Sequence, residues 1–141
     1  MHASSRRGTD SGAGVRARAA RSVAEIVAGR ASLAEFYGRW AREDAAEAAL
    51  LRALVTDCLR WHHRLQWQLD QLLDKPLGRK DAELGALLRL GLLQLQFMRI
   101  PDHAAVDETV GACKALRRLH ARGLVNAVLM MCPVPCSLMS G

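Results

Sequence analysis

The sequence predicts an all-α domain. Half of its residues are hydrophobic but only 4% are aromatic, so the apolar content is mostly Leu, Ala and Val, of which Leu and Ala are strong helix formers. Apolar residues recur three and four positions apart along most of the chain, as on one face of an α-helix. No segment alternates apolar and polar residues with the period of a β-strand. The length of 141 residues fits one domain.

Two helices are predicted before residue 41. The first ends at Gly29, a residue type typical of helix C-termini. Its apolar face consists of Val15, Ala19, Val23, Ile26 and Val27. Ser32 and Glu35 have the spacing of a capping box, in which each side chain accepts from a free amide at the helix start. The apolar face of this second helix consists of Leu33, Phe36, Tyr37 and Trp40.

The middle of the chain predicts a longer helix that begins after Asp44, a residue type that favours the N-cap position. Its apolar face consists of Leu50, Leu51, Leu54, Val55, Cys58, Trp61, Leu65, Leu69, Leu72 and Leu73. We expect a bend around His62 and His63. Pro76 and Gly78 then break the pattern.

The remaining pattern predicts three further helices, two of them capped and the last one short. Asp81 is predicted to cap a helix that is apolar almost all round from Leu84 to Phe97, and such a helix belongs in the middle of a domain. Asp102 is predicted to cap the next helix. Its inward residues are Val106, Val110, Cys113 and Leu116. After Gly123, a last helix carries Leu124, Val125, Val128 and Leu129.

The two ends lack this pattern. Residues 1–14 are predicted to form a disordered basic leader, because Gly8, Gly12 and Gly14 disfavour a helix. Residues 130–141 are predicted to form an unstructured tail. The domain itself is therefore assigned to residues 15–129.

The charge balance favours a polyanionic partner. Twenty Lys and Arg residues against fourteen Asp and Glu residues give a net charge of +6, which suits nucleic acid or an acidic membrane surface. No apolar run reaches the ~18 residues of a membrane span, so no membrane partner is predicted. Without a secretory signal, a cytoplasmic location with reduced cysteines is expected.

The predicted RNA-binding residues are six arginines in two clusters: Arg16, Arg18, Arg21, Arg117, Arg118 and Arg122. The guanidinium fork donates two parallel hydrogen bonds to phosphate. A third basic cluster occupies a loop and consists of Lys75, Arg79 and Lys80. Few exposed aromatic residues are expected, so contacts should reach the RNA backbone rather than the bases. For any one cluster, a solvated surface is the alternative interpretation.

The sequence predicts no catalytic, cofactor or metal site. Cys58 and His62 share a helical face but lack a further pair of ligands, and Cys132 and Cys136 have no second pair at zinc-ribbon spacing. Asp107 and Glu108 are adjacent acids on a predicted helix, and they are more simply interpreted as cap and solvated-face residues than as a catalytic pair. A glycine-rich phosphate loop after a strand is also absent.

Three stretches resemble a known family: Leu73-Asp-Lys-Pro-Leu77 with Lys80-Asp81, LLQLQFMRIPDHAAV over 92–106, and Gly123-Leu-Val-Asn-Ala-Val-Leu129. From about Val15 to Leu129 the chain is similar to the N-terminal domain of the bacterial ribosomal RNA small-subunit methyltransferase B family, the Sun/Fmu type. That domain resembles the transcription factor NusB. The resemblance implies a NusB-like bundle of about seven helices in two packed subdomains, and it implies RNA binding.

The resemblance also implies what this chain lacks. In the full-length family, a C-terminal domain binds S-adenosylmethionine and methylates cytosine C5 of small-subunit rRNA. After Leu129 this sequence departs from the family, and Pro135-Cys136-Ser137 only echoes the Pro-Cys-Ser of the catalytic loop. The expectation is therefore a truncated or frameshifted product that binds no cofactor and is inactive on its own.

The sequence-based hypothesis is an RNA-binding domain of an rRNA cytosine-C5 methyltransferase that lacks its catalytic half, with small-subunit rRNA as partner. One alternative is a standalone NusB-type antitermination factor that binds RNA with a ribosomal or transcription protein. A second alternative is a helical protein-interaction module without an RNA role.

Overall fold

Seven α-helices account for most of the computed structural model, which describes residues 3–132. The helices are α1 (Ala3–Val27), α2 (Leu33–Trp40), α3 (Ala45–Arg60), α4 (His62–Leu72), α5 (Ala82–Phe97), α6 (Asp102–Ala115) and α7 (Arg122–Met130). Short 3-10 turns precede α5 and α7 at Arg79–Asp81 and Leu119–Ala121. Residues 3–132 contain no strand, and the predicted all-α class is confirmed.

Helix α5 occupies the centre, as predicted. Every residue from Leu84 to Gln94 is buried, and α5 contacts α1, α3, α4, α6 and α7. Helix α1 lies beside it and packs against α3, α5 and α6. Helices α2–α4 therefore cover one part of the central α1–α5 pair, and α6 with α7 covers another, which gives the two packed subdomains.

Local hydrogen bonds stabilise the starts of α2 and α3. The Glu35 amide donates to Ser32 Oγ at 3.2 Å and the Ser32 amide donates to Glu35 Oε1 at 3.3 Å, so the predicted capping box is present. The Glu47 amide donates to Asp44 Oδ2 at 3.1 Å, which caps α3. The predicted long middle helix is divided at Trp61 into α3 and α4, next to the expected bend.

The N-terminal boundary needs correction. Helix α1 begins at Ala3, so it includes most of the residues assigned to a disordered leader. Gly12 lies against the carboxyl group of Glu108 on α6, where a Cβ atom would clash, and a Cβ on Gly111 would lie 3.3 Å from the Cβ of Ala13. The contact between Gly111 and Ala13 brings α1 and α6 close together, and Gly12 lies inside α1 without ending it.

At the other end, α7 continues to Met130, and Cys132 packs partly buried against the core. The rest of the predicted tail, residues 133–141, lies outside the described residues. No helix between residues 3 and 132 combines the length and the apolar character that a membrane crossing requires.

Candidate nucleic-acid interface

The C-terminal end of α6 brings together basic residues from three parts of the sequence. Arg21 on α1 donates from Nη2 to the carbonyl oxygen of Ala115 at 2.5 Å, across 94 positions of sequence. Ala115 is the last residue of α6, where free carbonyl groups attract cations. The first and second predicted arginine clusters therefore meet at this point.

Arg118 connects the third basic cluster to the same place. Its Nη2 atom donates to the carbonyl oxygen of Lys80 at 2.6 Å, and its Nη1 atom donates to Asp81 Oδ1 at 2.7 Å. Asp81 was predicted to cap α5, but its side chain makes no capping hydrogen bond. Its carboxylate instead holds Arg118 and positions the loop that carries Arg79 and Lys80.

We call the exposed cations on these connected segments the basic face. It consists of six exposed cations: Arg21, Arg79, Lys80, Lys114, Arg117 and Arg122. Among the described residues, none of the six has a carboxylate oxygen within 4.0 Å of its charged nitrogens. Their charges are therefore available to an external anion.

Arg117 is held in an unusual backbone conformation. Its φ angle is 61°, the left-handed region that L residues with a side chain rarely adopt. The Arg118 amide donates to Cys113 O at 2.7 Å and the Arg117 amide donates to Lys114 O at 3.0 Å, which is the Schellman pattern. Gly29 ends α1 in the same pattern with φ 79°. An arginine thus takes a position that favours glycine, and it projects from the end of α6.

The Arg18 guanidinium is less available to an external anion than the sequence predicted. Its Nη2 atom donates to both carboxylate oxygens of Glu43 at 2.6 and 2.7 Å, and Glu47 lies 3.5 Å from its Nη1 atom. A groove of about 600 Å³ between α1, the start of α3 and the end of α6 is lined by Arg18 and Arg21 together with these acids. Arg18 therefore supports the fold of the groove, while Arg21 supplies its uncompensated charge.

Arg16 must be removed from the predicted set. It is only 5% exposed, and its Nε and Nη2 atoms donate to Gln94 Oε1 at 3.1 and 2.9 Å. Burial lowers the pKa of its guanidinium, and the nearby charge of Glu108 raises it in part. Because α1 is covered by three helices, the buried part of its surface is wider than its apolar face, and Arg16 falls inside it.

Exposed aromatic residues are also more prominent than expected. Trp61, Trp67 and Phe97 are 37%, 64% and 41% exposed. The sequence placed Trp61 on the apolar face of one long helix, but the break between α3 and α4 turns it toward solvent. The sequence therefore did not predict these exposed aromatic rings.

The buried thiols and imidazole do not form a reactive centre in the described part of the chain. Burial raises the pKa of the Cys58 thiol to about 11, and it lowers the pKa of His62, which also lies near the Arg89 charge. A thiol with a raised pKa stays protonated and is a poor nucleophile. Among the side chains of residues 12–132, no group of three His, Cys, Asp or Glu residues could hold a metal ion.

Fold and surface together define a small helical domain with a basic face and without an assembled reaction centre among the described residues. A model described as the NusB family matches residues 15–132. The chain belongs to the NusB family, which confirms the resemblance noted from the sequence.

The relatives are longer proteins. Over 115 residues, the chain is 42% identical to a "Ribosomal RNA small subunit methyltransferase B" of Pseudomonas putida, covering 81% of this chain and 26% of the relative. A protein of the same name from Proteus mirabilis is 36% identical over 116 residues, which cover 82% of this chain and 28% of the relative. The chain thus spans about a quarter of the length of the curated relatives it matches.

Proposed function

We propose that this chain binds RNA through its basic face and acts as the RNA-binding domain of a small-subunit rRNA methyltransferase. The observation that carries the proposal is the meeting of three basic clusters at the end of α6, through the contacts of Arg21 with Ala115 and of Arg118 with Lys80. Six exposed cations that have no acidic partner in the described part of the chain attract a polyphosphate backbone.

The similarity to methyltransferases supports small-subunit rRNA as the proposed partner. The two relatives described above are named for small-subunit ribosomal RNA. Only binding is assigned to this chain. Methyl transfer and S-adenosylmethionine, which the family implies, would belong to other parts of a longer protein. This role is favoured over a standalone antitermination factor with a ribosomal or transcription protein partner, because both relatives carry the methyltransferase name.

Salt-dependent binding tests this proposal. Each phosphate contact that is lost should reduce the slope of log K against log salt by about 0.7 for single-stranded nucleic acid. We therefore expect Lys114→Glu and Arg122→Glu each to weaken binding to a small-subunit rRNA fragment and to reduce this slope.

Arg42→Glu is the matched control, since Arg42 is exposed and lies outside the basic face in the turn between α2 and α3. This variant changes the net charge equally, so it corrects for general electrostatic attraction. Equal losses of affinity in all three variants would show that the basic face is not the binding surface. Unchanged affinity in all three would contradict RNA binding by charge altogether.

A further inference from the structure

Trp61 and Phe97 form an exposed aromatic stack. Their ring centroids lie 5.0 Å apart and their planes differ by 5°. Trp61 lies at the break between α3 and α4, and Phe97 is the last residue of α5. Trp61 and Phe97 are 37% and 41% exposed, so part of each residue remains accessible to a ligand.

One arginine contacts this pair. The Arg64 guanidinium lies 5.8 Å from the centroid of the Phe97 ring, within the range of a cation–π contact. Arg60, His63 and Arg99 are exposed neighbours along the same chain segments. The nearest acid on these segments, Asp57, is paired with Arg60 at 3.2 Å. We call Trp61, Phe97 and Arg64 the aromatic platform.

We propose that the aromatic platform binds single-stranded RNA by stacking an unpaired base on the exposed ring surface. This inference rests on the proposed RNA-binding function and adds a second, base-contacting site to it. Two parallel rings extend readily to a third, because a nucleobase is planar and offers a π-face of its own. The guanidinium of Arg64 can then neutralise the phosphate that follows the stacked base.

The charge around the platform argues for nucleic acid rather than a protein partner. Protein interfaces are also enriched in aromatic residues and arginine, so the charge has to decide between the two partners. The chain carries a net charge of +6, and among the side chains that the structure describes no carboxylate oxygen lies within 4.0 Å of the Arg64 guanidinium. A polyanion with planar bases matches both this positive charge and the exposed rings.

Tryptophan fluorescence provides a direct test. Trp40 is buried and Trp67 is the other exposed indole, so the Trp67→Phe protein reports mainly on Trp61. Adding a short oligouridylate should quench this emission, because a stacked base contacts the indole. Inorganic polyphosphate, which carries similar charge without bases, should leave the emission unchanged.

Affinity measurements complete the test. Trp61→Ala should weaken oligouridylate binding roughly five- to hundredfold, the range for loss of one stacked base. Trp67→Ala, which removes an exposed indole that has no stacked partner among the described residues, should leave affinity within about twofold. Trp61→Tyr preserves a stacking ring and should retain binding, which guards against a loss caused by misfolding.

The two hypotheses fail in different ways. If Trp61→Ala binds as tightly as Trp67→Ala while Lys114→Glu still weakens binding, the platform proposal is overturned and the basic face stands. A protein-docking role for the platform would give this same result. Quenching by polyphosphate equal to that by oligouridylate would also overturn base stacking.

Discussion

Arg16 and Gln94 join two central helices inside the core. The Arg16 guanidinium donates twice to the amide oxygen of Gln94, at 3.1 and 2.9 Å. The amide nitrogen of Gln94 donates in turn to Leu90 O and to Thr109 Oγ1, each at 3.0 Å. This network links α1, α5 and α6 and gives a buried arginine a structural role.

Removing the acceptor should destabilise the fold. Gln94→Leu leaves the Arg16 guanidinium buried without its main partner, and we expect a loss of about 3 kcal/mol in the free energy of unfolding. Urea denaturation measures this loss. The double variant with Arg16→Met should recover most of it, because both polar groups are then replaced by apolar ones. A double variant as unstable as Gln94→Leu would contradict this account.

Arg117 should lower the stability of the fold while it contributes to RNA binding. Arg117→Gly relieves the left-handed backbone conformation and should increase the free energy of unfolding by up to about 1 kcal/mol. The same change removes a cation from the basic face and should weaken RNA binding. Thermal unfolding and a salt titration measure the two effects. Gly29→Ala is the control for the opposite change, since a side chain at φ 79° should destabilise the protein.

The contact between α5 and α7 depends on Gly91. A Cβ atom there would lie 2.6 Å from Leu129 Cδ2 and 2.9 Å from Cδ1. We expect Gly91→Ala to destabilise the protein by about 1–3 kcal/mol through overpacking, as measured by denaturant unfolding. Gly85→Ala is the control, since its nearest contact would be an ordinary 3.5 Å to Arg89 Nη1. That variant should be neutral or slightly stabilising, because Ala favours a helix more than Gly does.

The Cys58 thiol should make the free energy of unfolding depend on pH in the alkaline range. Burial raises the pKa of its thiol from 9.0 to about 11. The folded state thus holds the proton more tightly than the unfolded state, so this stabilisation is complete below pH 9 and is lost as pH rises toward 11. Unfolding free energies across this range should fall less steeply for Cys58→Ala than for the wild-type protein. Parallel pH profiles would show that Cys58 titrates alike in both states.

The sequence by itself determined the secondary structure and the family. Capping by Ser32 and Asp44 and the apolar surface of α5 follow from local hydrogen bonding and composition, so they could be predicted without neighbours. The family was readable because its motifs lie at fixed spacing in helices that form locally. The position of the break at Trp61 was predicted to within about two residues, the usual uncertainty of helix ends.

Only the tertiary structure decided which of these residues can meet a ligand. Arg16 and Arg21 lie on the same helix, yet one is enclosed and the other is exposed, because the covered arc of a helix depends on how many neighbours pack against it. Gly12 breaks no helix, since α1 is stabilised by packing against three other helices. The meeting of basic clusters at α6 and the stacking of Trp61 on Phe97 join distant parts of the chain. Local periodicity contains no information about such contacts, which arise from the way whole helices pack.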